Sequence, residues 1–202
     1  MRSFFVLFPH YHETKVVYHV VNIGQLKTIL EQGIQIQERK NFSDNKYLDF
    51  NRFLDQNKPE TIPKWVKREK ALFASLNFKE DMHWHSHSAL LALKVQEERC
   101  WVANENLANE IYDPFILQHI RDFNHAQNFM KEFGEKKAQN YWENSFPFQE
   151  YLKKNKNPIN NYDEEVMVFH DIPPKDIKCL MVVTDHHTFT PKQWQEYYMD
   201  II

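Results

Sequence analysis

The stretch "VVYHVVNIGQLKTILEQG", from Val16 to Gly33, carries the clearest secondary-structure signals of the chain. Apart from His19, its first six residues are β-branched or aromatic, which predicts a strand. Asn22 is a suitable N-cap for a following helix, and Gly33 stands where a C-terminal cap is expected. The apolar residues between these two caps recur at helical spacing: Ile23, Leu26, Ile29 and Leu30. The stretch therefore predicts a strand that leads directly into an amphipathic helix.

The rest of the sequence predicts further strands and helices of unequal length. Apolar runs predict strands in "ALFASL", "SALLALKV", "CWVANE", "EVMVFHDI" and "IKCLMVVT". Asp113 and Pro114 predict the start of a helix, with helical character continuing, with breaks, to about Lys154. The C-terminal "TPKQWQEYYMDII" predicts a helix in which Thr190 and Gln193 have capping-box spacing. We therefore expect an α+β fold.

Length and composition predict a single packed domain. The chain has 202 residues, of which 42% are hydrophobic and 15% aromatic, enough for one substantial core. We expect one domain over residues 1–202, with a polar, proline-punctuated surface excursion at 38–70 that carries a small amphipathic helix around Tyr47 to Leu54. A helical insertion is expected at about 113–154.

Charge and cysteine usage limit the functional classes. A net charge of −3 and a pI of about 6.4 give no electrostatic footprint for general nucleic-acid binding. Cys100 and Cys179 lie far apart in sequence, which favours neither a disulfide framework nor a cysteine-rich zinc site. The first apolar run is cut off by Pro9 and His10, and no stretch is long enough to span a membrane. We expect a cytoplasmic protein that does not contact a membrane.

Several standard sites are incompatible with the sequence. The only glycines are Gly24, Gly33 and Gly134, from which neither a P-loop nor a Rossmann glycine motif can be built. No serine is flanked by glycines as in a hydrolase nucleophile motif. His83, His85 and His87 would share one face of a strand and could ligate a metal, but no cysteine or carboxylate stands at ligand spacing. We predict no metal site there, with a histidine-ligated metalloprotein as an open alternative.

The segment "NYDEEVMVFHDI" combines carboxylates with the start of an apolar strand. Strand alternation places Glu165 on the same face as Met167 and Phe169. Glu165 is thus expected at the last exposed step before burial, where it could point into a pocket. A register slip of one residue would put Glu164 there instead. We favour Glu165, because it directly precedes the alternating apolar run.

Three landmarks together resemble the ADP-ribosyltransferase fold, in its poly(ADP-ribose) polymerase and diphtheria-toxin-like branch. They are "YHVV" with the helix ending "ILEQG", the "ALFAS" strand, and "EEVMVF" followed by "IKCLMVV". The order and spacing of the landmarks are similar to those of the family. DarT-type toxins are also similar, with a strand and helix early in the chain and a strand that begins with a glutamate late in the chain. The landmarks cover about sixty residues. The resemblance implies a split, antiparallel-rich β-sheet core of the ADP-ribosyltransferase type with flanking helices.

The resemblance also implies a substrate and a set of site residues. NAD would be the substrate, with His19 binding the adenosine ribose and Phe73 stacking on the nicotinamide. Glu165 would be catalytic, binding the nicotinamide ribose and stabilising the oxocarbenium-like transition state, a contribution on the order of 3 kcal/mol. Val20 would contact the nicotinamide amide through its backbone, and Ser75 would line the same pocket. The family usually has a small residue in place of Val20 and a tyrosine in place of Phe73.

The expected activity is transfer of a single ADP-ribose to a macromolecule, in a toxin or effector role. The acidic pI favours a protein acceptor over a nucleic acid. A binding module for an ADP-ribose-like ligand or a protein partner on the same fold is the alternative. The basic run Lys64, Lys67, Arg68 and Lys70 around Trp65 could contact pyrophosphate or nucleic acid, but a solvated face is the favoured interpretation.

Overall fold

The computed structural model describes residues 6–36, 45–79, 86–154, 163–185 and 187–199. Its strands are β1 (Val6–Phe8), β2 (Val17–Asn22), β3 (Leu72–Ser75), β4 (Phe78–Lys79), β5 (Ser88–Leu93), β6 (Cys100–Asn104), β7 (Phe146–Pro147), β8 (Glu164–Val168), β9 (Ile177–Val183) and β10 (Thr188–Phe189). Its α-helices are α1 (Tyr11–Thr14), α2 (Ile23–Gln32), α3 (Asn45–Gln56), α4 (Glu105–Leu117), α5 (Asn124–Phe129), α6 (Glu135–Glu143), α7 (Phe148–Lys154) and α8 (Pro191–Met199).

The fold is α+β with antiparallel strand pairing, as the sequence predicts at this coarse level. The chain divides into two compact units, and the boundary passes through β3. The first unit comprises Met1–Gln35, Ala74–Gln96 and His170–Ile202, and the second comprises Ile36–Phe73 and Glu97–Phe169. The grouping of these units into a single ADP-ribosyltransferase-like domain stays a prediction.

The first unit is built around β5. This strand pairs with β2 on one side and with β9 on the other, and β10 pairs with the far side of β9. All six residues of β5 are buried, which explains why the five residues after Ser88, "ALLAL", form an unbroken apolar run instead of alternating. Tyr18 of β2 packs with Leu90 and Ala92 of β5 and with Phe78 in a small core. On the side of β2 that faces away from β5, Tyr18 pairs with Ser75.

The predicted strand and helix at Val16 to Gly33 are confirmed. β2 leads into α2 through Asn22, whose Oδ1 accepts a hydrogen bond from the Gly24 N–H at 2.8 Å. The helix ends at Gly33, whose N–H donates to the Ile29 carbonyl at 2.9 Å and whose φ is 84°. Only glycine adopts that backbone conformation without strain, so the predicted cap is a structural requirement.

The predicted C-terminal capping box is also confirmed. The Gln193 N–H donates to Thr190 Oγ1 at 3.2 Å, and the Thr190 N–H donates to Gln193 Oε1 at 2.9 Å. These reciprocal bonds satisfy backbone donors at the start of α8. Among the described residues, no helix combines the length and apolar character that crossing a bilayer requires.

The second unit packs helices against a short antiparallel sheet. β6 is its central strand and pairs with β8 and β7, with Cys100 opposite Val168 and Asn104 opposite Glu164 at the ends of the β6–β8 ladder. Every residue of β6 and β8 is buried. Helices and strands share one core of buried residues: Phe50, Leu54, Val66, Trp101, Ala103, Ala108, Ile111, Met130, Ala138, Tyr141, Trp142 and Met167.

The small amphipathic helix predicted around Tyr47 to Leu54 is confirmed by α3, while the predicted surface excursion at 38–70 that carries it also contributes buried residues. Residues 38–44 lie outside the described residues. From Asn45 onward, α3 places Phe50 and Leu54 in the core of the second unit, and Val66 is also fully buried. Phe50 and Leu54 are four residues apart and share one helix face, so a largely polar segment still supplies a buried stripe.

The predicted helix start at Asp113 and Pro114 is wrong. α4 begins at Glu105, where Asn104 Oδ1 accepts a hydrogen bond from the Asn106 N–H at 3.1 Å. Pro114 lies inside α4, close to its end, where the loss of one backbone donor does not stop the helix. The prediction of broken helical structure as far as Lys154 is confirmed by α5, a π-helical turn, α6 and α7.

Candidate functional site

Arg68 and Glu165 form an ion pair inside the second unit. Their exposed fractions are 2% and 6%. Arg68 Nη1 donates to Glu165 Oε1, and Arg68 Nη2 donates to Glu165 Oε2 at 3.0 Å. The contact is therefore bidentate, the strongest geometry between a guanidinium and a carboxylate. Removing two charges from water is costly, so a pair of this kind needs further hydrogen bonds around it.

Neighbouring side chains supply those hydrogen bonds. The Tyr141 hydroxyl donates to Glu165 Oε1 at 2.9 Å and accepts from Arg68 Nη1. Arg68 Nε donates to Asn51 Oδ1 at 2.9 Å. In the described part of the chain, no buried side-chain nitrogen or oxygen lacks a hydrogen-bond partner. The pair is thus part of a satisfied polar network within an apolar core.

Local structure fixes the backbone on each side of the pair. Arg68 opens a 3-10 turn, Arg68–Lys70, and Asp55 of α3 accepts from the backbone N–H groups of Arg68 at 2.8 Å and of Glu69 at 3.1 Å. Glu165 is the second residue of β8 and lies opposite Ala103 of β6. A capped turn and a sheet ladder therefore hold the two charged side chains in register.

Two aromatic rings flank the guanidinium. Arg68 Cζ lies 4.7 Å from the centroid of the Phe73 ring and 5.0 Å from that of Tyr141. Both separations are within the range of cation–π attraction. Tyr47 lies beside Phe73, with its ring centroid at 6.1 Å and its plane nearly perpendicular. Arginine is suited to this position because its flat, weakly hydrated guanidinium can stack and form a bidentate ion pair at once.

The protonation states follow from burial and neighbouring charge. Burial alone would lower the pKa of Arg68, but the charge of Glu165 and the adjacent tyrosines outweigh it, so the pKa is raised. Burial raises the pKa of Tyr141, with Arg68 acting in the opposite direction. The pKa of Tyr47 is also raised, mainly by burial. The guanidinium is therefore charged and both tyrosines are neutral at physiological pH.

Glu105 is a second carboxylate close to this network. The β6–β8 ladder continues for one more hydrogen bond, from the Glu105 N–H to the Asp163 carbonyl at 2.9 Å. Glu105 and Asp163 are both exposed. Partial desolvation raises the pKa of Glu105, repulsion from Glu165 and Asp163 raises it further, and Arg68 offsets part of the effect. The region beside the buried pair is therefore acidic.

The two candidate glutamates, Glu164 and Glu165, have different hydrogen-bond partners in the structure. Tyr141 contacts Glu165 and also lies 3.9 Å from Met167 Sδ, as expected if both residues point to one face of β8. Glu164 points elsewhere, and its Oε1 accepts from the Tyr151 hydroxyl at 3.1 Å. The expectation that Glu165 is an exposed step before burial is wrong, because Arg68 and Tyr141 give its carboxylate the partners it needs inside the core.

The other predicted NAD contacts are divided between the units. Phe73 belongs to the second unit, whereas His19, Val20 and Ser75 belong to the first. His19 is half-buried and lies opposite Leu91 in the sheet, and Ser75 is half-buried. Val20 is exposed. Their roles in binding NAD stay predictions.

Only part of the histidine motif can be compared with the structure. His83 and His85 lie outside the described residues. His87 is exposed, has a φ of 58°, and its Nδ1 lies 3.6 Å from Asp185 Oδ1. Within the described ranges, no group of three or more histidine, cysteine or acidic residues is arranged to hold a metal ion.

The basic run at Lys64 to Lys70 is not a uniform solvated face. Arg68 is buried, which the pattern of neighbouring lysines conceals. Trp65 is partly exposed and packs edge-on against Phe169 and Trp101.

Sequence reasoning missed Glu105 and Tyr141 as members of the network. The Asn104 cap with an acidic first-turn residue is the signal that identifies the start of α4.

Comparison of the chain with protein-family models, with curated proteins and with solved protein structures gives no match.

Proposed function

We propose that the protein is an NAD-dependent ADP-ribosyltransferase that transfers a single ADP-ribose, with Glu165 as its catalytic glutamate. The observation that carries the proposal is the position of Glu165. A carboxylate at the start of a buried strand is held by Arg68 and Tyr141 in one fixed orientation. The sequence landmarks around "YHVV", "ALFAS" and "EEVMVF" supply the resemblance to this class of enzyme.

The hydrogen bonds of Glu165 are compatible with binding a ribose. An ionised carboxylate offers about four acceptor sites. Its described bonds use three, namely two on Oε1 and one on Oε2. The remaining acceptor site on Oε2 suits the 2′-hydroxyl of the nicotinamide ribose.

The proposed chemistry is dissociation of a glycosidic bond. As nicotinamide leaves, positive charge develops on the ribose, and a carboxylate fixed nearby is more favourable in the transition state than in the ground state. Arg68 prevents Glu165 from reorienting, which makes the carboxylate preorganised. Arg68 covers one face of Phe73, so nicotinamide stacking on Phe73 would use the opposite face.

The local charge favours a protein acceptor. Glu105 and Asp163 are exposed beside the buried pair and give this surface an acidic character. The phosphate backbone of a nucleic acid would be repelled by this acidic surface, whereas a basic or neutral protein segment would not. The acidic pI of the whole chain likewise favours a protein acceptor over a nucleic acid.

A non-catalytic binding module is the second candidate. It is favoured by the same ion pair, because a buried carboxylate with a bidentate arginine is also a stable structural element. A module that binds an ADP-ribose-like ligand differs from the transferase in turnover of NAD, and a module for a protein partner differs in NAD binding as well.

The test uses NAD labelled in its adenylate part. The purified protein is incubated with labelled NAD and with protein or nucleic-acid acceptors, and NAD binding is measured separately by calorimetry. The transferase proposal predicts covalent label in the protein fraction that is lost in a folded Glu165→Gln variant. Binding without transfer or nicotinamide release would favour a module that binds NAD, and absence of both binding and turnover would contradict the transferase and leave a module for a protein partner.

A further inference from the structure

Tyr47 is an aromatic side chain near the buried ion pair to which the proposed reaction gives no role. It is the third residue of α3 and shares one helix face with Phe50 and Leu54, which follow it by three and seven residues. Phe50 and Leu54 are buried in the core of the second unit, whereas Tyr47 is half-buried. The apolar stripe of α3 therefore reaches the protein surface at the Tyr47 ring.

Neighbouring rings hold the Tyr47 ring in place. Its centroid lies 6.1 Å from that of Phe73, with the two planes at 76°, and 6.2 Å from that of Tyr112, with the planes at 64°. These steeply inclined contacts have the geometry that aromatic pairs prefer. Phe73 in turn lies 4.7 Å from Arg68 Cζ, so the aromatic contacts lead from Tyr47 directly to the guanidinium.

Tyr47 is close to buried and exposed charges at once. Its side chain interacts electrostatically with Arg68 and Glu165, whose exposed fractions are 2% and 6%, and also with the exposed Glu105. A half-buried ring near all three charges borders the ion pair on one side and the acidic surface on the other. Tyr47 is thus placed to restrict the access of solvent to Glu165.

We propose that the Tyr47 ring shields Glu165 from bulk water and thereby favours transfer to an acceptor over hydrolysis, an inference that rests on the proposed function. In transfer, an oxygen or nitrogen of the acceptor forms the new bond to C1′ of the nicotinamide ribose. In hydrolysis, the oxygen of water forms that bond and a proton of the water passes to solvent. In both reactions the C1′–N bond breaks and its electron pair leaves with neutral nicotinamide.

The ring, and not the hydroxyl, accounts for this effect. Burial raises the pKa of Tyr47, so the hydroxyl is neutral at physiological pH and adds no charge beside Glu165. A site that excludes water suppresses hydrolysis as a side reaction, and exclusion depends on the space that a side chain fills. Phenylalanine would fill most of the space of tyrosine, whereas alanine would leave an opening. Tyr47 is then a specificity-determining residue.

The first test measures the access of solvent to Glu165 and needs no NAD. The free protein is treated with a water-soluble carbodiimide and an amine, and mass spectrometry measures the rate of coupling at Glu165. Tyr47→Ala should raise this rate several-fold, while Tyr47→Phe should not. Tyr112→Ala is the matched control, because it removes another half-buried ring of the same cluster. An unchanged rate in Tyr47→Ala, or an equal rise in Tyr112→Ala, would overturn the shielding.

The second test measures nicotinamide release at saturating NAD with no acceptor present. Tyr47→Ala should release nicotinamide several-fold faster than the wild type, because water then reaches the ribose more easily. Tyr47→Phe and Tyr112→Ala should show no such gain. A gain in rate is a result that general disruption of the site would not give. Circular dichroism establishes first that each variant is folded.

The outcomes separate this inference from the proposed function. If the wild type transfers ADP-ribose to an acceptor but folded Tyr47→Ala shows no gain in hydrolysis, the role of Tyr47 is overturned and the transferase proposal stands. A gain of equal size in Tyr47→Phe would overturn the role of the ring. If no protein of the series turns over NAD with any acceptor or with water, the transferase proposal fails and the role of Tyr47 in specificity fails with it.

Discussion

Arg68 and Glu165 are 97 residues apart in sequence and form a bidentate ion pair inside the second unit. Tyr141 and Asn51 complete their hydrogen bonds, and Phe73 stacks against the guanidinium. The pair links the turn before β3 to the start of β8. The same contact therefore stabilises the unit and orients the carboxylate to which we assign catalysis.

The first prediction concerns the stability of this pair. Arg68→Met and Glu165→Gln should each lower the free energy of unfolding by about 3–5 kcal/mol, because each leaves a buried charge without its partner. The double variant Arg68→Met/Glu165→Gln should be less destabilised than the sum of the two single variants. Urea unfolding of all four proteins measures the coupling, and strict additivity would contradict it.

The second prediction concerns the turn that carries Arg68. Asp55 accepts two backbone hydrogen bonds from this turn, so Asp55→Ala should cost about 1–2 kcal/mol, as loss of a helix cap does. Asp49→Ala on the same helix is the matched control. Its ion pair with Arg52 is exposed and should contribute less than about 1 kcal/mol. Equal destabilisation of the two variants would show that the cap does not hold Arg68.

The third prediction concerns the pH dependence of stability at Glu105. Its pKa is raised in the folded protein, so the folded state binds its proton more tightly than the unfolded chain does. Below the unfolded pKa, Glu105 is protonated in both states and Glu105→Gln should match the wild type. As pH rises through the folded pKa, the wild type alone gains an unfavourable charge, so Glu105→Gln should become the more stable protein.

Thermal unfolding of both proteins from pH 4 to pH 8 measures this difference in stability. A difference that stays constant across the range, or a variant that is less stable at pH 8, would contradict the sign.

The fourth prediction concerns the end of α2. A Cβ on Gly33 would lie 2.3 Å from the backbone oxygen of Ile172, and the φ of 84° is unfavourable for other residues. Gly33→Ala should therefore destabilise the first unit by about 1–3 kcal/mol. Gly24→Ala is the control, because its Cβ would meet only the Asn22 side chain at 3.1 Å and alanine is the better helix former. We expect that control to change the midpoint of urea unfolding little.

Local signals in the sequence predict local structure well. The caps of α2 at Asn22 and Gly33, and the capping box at Thr190, each depend on residues within one turn of the helix end. Such signals are visible without knowledge of the rest of the fold.

Contacts between distant segments explain what sequence reasoning missed. Arg68 stands among lysines that indicate a solvated surface, and its partner is remote in sequence. A charge is buried only when a partner of opposite sign is supplied, and neither the pairing nor Tyr141 can be inferred from spacing. Pro114 misplaced the start of α4 because this proline lies inside the helix, a position that prolines rarely occupy, and the Asn104 cap was the decisive signal.

Nicotinamide release from NAD by the wild type, Glu165→Gln and Glu164→Gln decides whether Glu165 is the catalytic residue, once each protein is shown to be folded. Both glutamates are buried and adjacent, but only Glu165 is bonded to Arg68 and Tyr141. The account predicts turnover by the wild type and Glu164→Gln and a loss of about 10²–10³-fold in Glu165→Gln. Equal turnover in the two variants, or none in the wild type with any acceptor, would contradict it.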